Sequence, residues 1–96
     1  MARLVTKNEL RDVFNQNIQP QIDSGVYSRV PVTDRPASAR VGEPPGTRSI
    51  LFEIRDHQNR PIATCHAFIR TDGTVGASGL YDPKGVKVGD DWWYVL

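Results

Sequence analysis

The chain has 96 residues, 39% hydrophobic and 24% charged, with twelve Lys and Arg against eleven Asp and Glu. That length supports one domain, residues 1–96, with a small single core, and the formal charge of +1 excludes a global field that would attract nucleic acid or an anionic membrane. A lone cysteine, Cys65, excludes an intrachain disulfide, and no apolar run approaches the roughly 18 residues of a membrane span.

The N-terminal stretch MARLVTKNEL lacks the apolar segment of a signal peptide, so the expected setting is the reducing cytoplasm. Thr6 and Glu9 have the spacing of a capping box, in which each side chain bonds the other's free backbone N–H. Val5 and Leu10 are placed for a hydrophobic staple across that cap. Leu10, Val13, Phe14 and Ile18 recur at helical spacing, which predicts a helix over 6–18. Pro20 then removes an intrahelical bond, so the helix either ends near Asn17 or gives way to a short second turn that stops at Gly25.

VYSRVPV at 26–32 alternates like a strand, and Pro31, with no N–H for a ladder, predicts an edge position. Residues 33–48, TDRPASARVGEPPGTR, hold three prolines, two glycines and almost no large apolar residue. They read as a long loop or arm, either mobile or laid on a partner.

The half from 49 to 96 reads as β-rich. In SILFEIR, Ile50, Phe52 and Ile54 share one face, and PIATCHAFIR is apolar on both parities, as a strand covered on both sides would be. With DHQNR as the turn between them, the two predict an antiparallel hairpin. FIRTDGTVGASGLYDPKG at 68–85 reads as a connector. Gly73 supplies the positive φ of a hairpin turn, Gly76 and Gly79 allow a bulge or a close approach, and DPKG suits a type I turn. The terminal DDWWYVL has the aromatic density of a strand. The expected fold is therefore α+β, an N-terminal helix packed on a small, three- to four-stranded, mainly antiparallel sheet.

The glycine-rich stretch does not carry phosphate chemistry. Gly73, Gly76 and Gly79 fit neither a Walker loop nor a dinucleotide fingerprint, and Gly76-Ala77-Ser78-Gly79 is one residue short of a nucleophile elbow. Cys65 and His66 are neighbours on one strand, so they point to opposite faces and cannot activate each other. Cys65 shares a parity with Ala63 and Ala67, which makes it a buried, unreactive thiol. His57, His66 and Cys65 show no ligand spacing for a metal, and no cofactor is expected.

The residues that point outward are arginines and aromatics. Arg29, Arg35, Arg40 and Arg48 are interleaved with prolines and small residues, and Trp92, Trp93 and Tyr94 are of the types enriched at interface hot spots. These seven are the interface candidates. The first expectation is a small non-enzymatic protein-binding module, a subunit, adaptor or inhibitor, acting through a sheet edge, the arginine-bearing arm and exposed aromatics, on a partner or on a second copy in a homodimer. The alternative is nucleic-acid binding through the same arginines and a stacking Trp92 or Trp93. A small enzyme using His66 or Ser78 stands third.

Overall fold

The computed structural model describes all 96 residues. β1 (Ala2–Val5) runs into α1 (Lys7–Asn17) and a short α2 (Gln19–Asp23), followed by β2 (Ser28–Pro36), β3 (Arg48–Arg55), β4 (Pro61–Ile69), β5 (Asp82–Val88) and β6 (Asp91–Val95). One sheet takes all six strands in the order β1-β6-β5-β4-β3-β2. β1 pairs in parallel with β6 and every other neighbouring pair is antiparallel, so the sheet is mixed and larger than the three to four strands expected. α1 lies against one face, over β5 and β6. None of its helices is long and apolar enough to cross a membrane.

The helix forms as its sequence dictates. Thr6 Oγ1 accepts from the Glu9 N–H at 3.2 Å, and Glu9 Oε1 accepts from the Thr6 N–H at 3.1 Å. Val5 and Leu10 are both buried in the core, where the staple would place them. α1 stops at Asn17 and α2 starts with Pro20 in its first turn, where the missing N–H costs nothing. Leu10, Phe14 and Ile18 bury themselves against Ile50, Phe52, Ile54, Ala63, Cys65, Ala67 and Val86 of the sheet.

The β3–β4 hairpin has the predicted form, closed by Asp56, which accepts from the N–H groups of Gln58 and Arg60. β2 is an edge strand, as Pro31 requires, and its register shifts between Pro31 and Thr33. Two strands depart from the sequence reading. β1 is four residues long, too short for a pattern, and its partner lies at the far end of the chain. Asp82-Pro83-Lys84-Gly85 opens β5 instead of forming a turn. The β4 register jumps from Thr64 opposite Gly85 to Cys65 opposite Pro83, which leaves Lys84 as a bulge that accommodates the proline.

The segment 33–48 is not a free arm. Thr33–Pro36 belong to β2, and the remainder closes on itself, the Ala37 N–H donating to the Thr47 carbonyl at 2.9 Å and the Thr47 hydroxyl to the Pro44 carbonyl at 2.7 Å. Glu43 then ties this loop to the glycine-rich connector. Its carboxylate accepts from Arg70 Nε at 2.8 Å and Nη2 at 3.3 Å, and from the Ala77 N–H.

Because α1 covers one face only, the sheet is half dressed. The accessible surface is 6079 Å², whereas a compact monomer of 10.7 kDa exposes about 5,500 Å². The radius of gyration, 13.5 Å, likewise exceeds the roughly 12.5 Å typical of this length.

Candidate functional site

The register decides which side chains share the uncovered face. Val86 is buried under the helix and sits opposite Trp93, so Trp93 faces the core side, where the Arg3 guanidinium lies 4.9 Å from its ring centroid. Its neighbours Trp92 and Tyr94 therefore point the other way, with ring centroids 6.2 Å apart and planes within 17° of parallel. Leu4 and Ala2 stand beside them on β1, and Lys87 and Gly85 on β5. Farther across the face come Thr64, His66 and Phe68 of β4, then Ser49, Leu51 and Glu53 of β3.

Gly85 is what lets Tyr94 lie down. A Cβ at position 85 would stand 3.0 Å from the Tyr94 ring and 3.3 Å from the Thr64 hydroxyl. The phenol ring fills the space a side chain would take, and Gly85 is buried beneath it. The result is an apolar and aromatic surface of Leu4, Trp92, Tyr94, Leu51 and Phe68. Leu4 is 63% exposed and Tyr94 40%. The charges on this face are partly neutralised among themselves, Glu53 by Arg55 at 2.7 Å and Asp82 by Lys84 at 2.8 Å.

The sequence-based interface candidates divide between two surfaces. Trp92 and Tyr94 share the open face; Trp93 does not. Arg29 is on the helix side of β2, its guanidinium 5.3 Å from the Phe52 centroid and bonded to the Tyr81 hydroxyl. Arg48 is held by Asp34 at 2.8 Å, and Arg40 lies in the short 3-10 turn of the loop. Arg35, opposite Ser49, has the open face's parity. The four arginines therefore form no single patch.

One polar pair on the open face has chemical character. Ser49 Oγ and His66 Nε2 are 2.6 Å apart, across the β3–β4 ladder, and the His66 ring packs edge-on against Phe68 at 4.7 Å. Burial, aided by the positive charge of Lys84, holds the imidazole below its ordinary pKa, and in the tautomer with the ring proton on Nδ1 its Nε2 accepts from the serine hydroxyl. A cleft of about 180 Å³ between β4 and the connector is lined by His66, Phe68, Ser78 and Asp82. Ser78 lines the same cleft without bonding His66, and its hydroxyl accepts from the Leu80 N–H at 3.4 Å. The sequence picked out the histidine and missed Ser49, because pairing across two strands depends on register.

Cys65 is fully buried on the opposite side, and burial pushes its thiol pKa up to about 12. It is therefore protonated and unreactive at neutral pH. Nowhere do three or more His, Cys, Asp or Glu side chains converge as a metal site. No protein-family model matches the chain, and no curated protein or solved structure matches it either.

Proposed function

We propose that the protein is a small protein-binding module whose working surface is the uncovered sheet face, with Trp92 and Tyr94 as anchors. The observation that carries this reading is the near-parallel aromatic pair on a face that no element of the chain covers. Monomeric proteins rarely leave a contiguous apolar surface of more than a few hundred Å² open, and Trp and Tyr supply much of the energy where such surfaces dock. The scattering of Arg29, Arg40 and Arg48 away from this face favours a protein partner over nucleic acid, whose binding draws mainly on clustered cations.

The reading is tested by placing a photo-crosslinking amino acid at position 94 in cells, with position 16 on the exposed side of α1 as the control. A discrete adduct is expected at 94 and not at 16, reduced at least fivefold by Trp92→Gln. Equal labelling at the two positions, or none at 94, would remove the face from consideration.

The Ser49–His66 pair favours a second reading, a small hydrolase in which His66 takes the Ser49 proton as the hydroxyl attacks an acyl group. Two measurements bear on it. NMR should show His66 titrating below the ordinary 6.5 of histidine. A fluorophosphonate probe should label wild type and not Ser49→Ala. Absence of labelling at millimolar probe over hours would reduce the pair to a cross-strand hydrogen bond.

A further inference from the structure

We infer that the occupant of the open face is a second copy of this chain, docked face to face in a two-fold sandwich. The inference rests on the face being a protein-docking surface and goes on to name what docks. Its first support is area. The surface in excess of a compact monomer is roughly 600 Å² per chain. The face itself is of similar size: six strands about 4.8 Å apart span about 24 Å, and six residues of strand run about 20 Å, giving close to 500 Å². Two such faces bury roughly 1,000–1,200 Å² together, which reaches the lower bound of specific interfaces.

The second support is self-complementarity. A face that meets its own copy must be tolerable to itself, so unpaired charge of one sign near its centre would oppose docking. Here the carboxylates Glu53 and Asp82 already have cationic partners on their own chain. The cations without an ion-pair partner on this face lie at its margins, Lys87 at one end of β5 and Arg35 on the edge strand β2. The centre holds Thr64, Gly85 and the flat Tyr94 ring, a low surface on which a second sheet can pack at the usual separation of about 10 Å.

The third support is the state of the edges. β2 carries Pro31, Pro36 and a register shift, features that blunt an edge against strand addition. β1 is only four residues long. Lateral growth of the sheet is therefore poorly served, and stacking is the route by which two copies gain contact.

The association expected of so small an area is weak, with a dissociation constant of roughly 1–100 µM. Sedimentation velocity from 2 to 500 µM should show a monomer giving way to a dimer, with the midpoint little changed between 50 and 500 mM salt. Trp92→Gln and Leu51→Gln, both on the face, should each weaken the dimer at least tenfold while circular dichroism stays native. Gln16→Ala, on the exposed side of α1 and off the face, should leave it intact. In a Trp93→Phe background Trp92 is the only tryptophan, and its emission should shift to the blue as the dimer forms.

A monomer at 500 µM would overturn the inference, as would a dimer kept at full strength with both Trp92→Gln and Leu51→Gln. The crosslink at position 94 separates that failure from failure of the wider reading. An adduct with another protein there, from a chain that stays monomeric, replaces the second copy with a different partner. No adduct and no dimer together remove both.

Discussion

Phe14→Ala is expected to destabilise the protein by about 3–5 kcal/mol, the usual cost of removing a fully buried aromatic ring. Phe14 has no exposed surface, sits at the centre of the α1 stripe, and meets the Tyr81 ring edge-on at a centroid distance of 6.5 Å. The large value follows from the architecture. α1 is the cover of the only buried sheet face, so the cavity opens where helix and sheet meet, and the core residues of the strands below, Ile54, Ala63 and Cys65, are held from collapsing into it by the ladder. A domain of this size has roughly 5–15 kcal/mol in total, and each kcal/mol moves the melting temperature by about 4–8 °C. A fall of at least 12 °C is therefore expected, with the urea midpoint lowered and the slope unchanged. Gln16→Ala, on the outer side of the same helix, should change stability by less than about 0.5 kcal/mol. A loss below 1 kcal/mol for Phe14→Ala would mean that α1 does not pack on the sheet as described.

The elements that the sequence made legible are those specified by neighbours in the chain. The capping box is a matter of four consecutive residues, and both its bonds form. The β3–β4 hairpin joins adjacent segments, so alternation in SILFEIR and a turn at 56–60 suffice. Pro31 announces an edge because its missing N–H is a local fact. The features that escaped are those set by distant partners. β1 becomes a strand because β6, at the opposite end of the chain, offers a ladder to it. The DPKG stretch becomes β5 because β4 offers it a ladder, with a bulge at Lys84 and the Tyr94 ring over Gly85.

The candidate site divides the same way. Aromatic content marked residues 92–94, and neighbours along a strand point to opposite faces. Only the pairing of Val86 with Trp93 decides that Trp92 is the outward one. The arginines of the second quarter looked like one arm because they are close in sequence. The structure assigns Arg29 to an aromatic clamp and pairs Arg48 with Asp34, so the four arginines form no single arm.

Gly76→Ala is expected to cost about 1–3 kcal/mol, the range for forcing atoms into a filled space, and the cause is a carboxylate rather than the backbone angle. Gly76 is outside the positive-φ set that includes Gly73 and Gly79, so alanine is allowed there by conformation. A Cβ, however, would stand 2.6 Å from Glu43 Oε1 and 2.7 Å from its Cδ. Glu43 cannot swing aside freely, since Arg70 holds it through two bonds and the Ala77 N–H through a third. Its side chain is only 6% exposed, and the Arg70 guanidinium, with the Ala77 N–H, keeps the carboxyl below its ordinary pKa. The glycine thus exists to let one loop's carboxylate lock the other loop. The expectation has a sharper form in a double-mutant cycle. Glu43→Ala removes the obstacle, so Gly76→Ala should cost less than about 0.5 kcal/mol in that background, where truncation at position 43 has already broken the lock. Measured by urea unfolding of the four proteins, costs that simply add would mean that Gly76 is required for some reason other than the approach of Glu43.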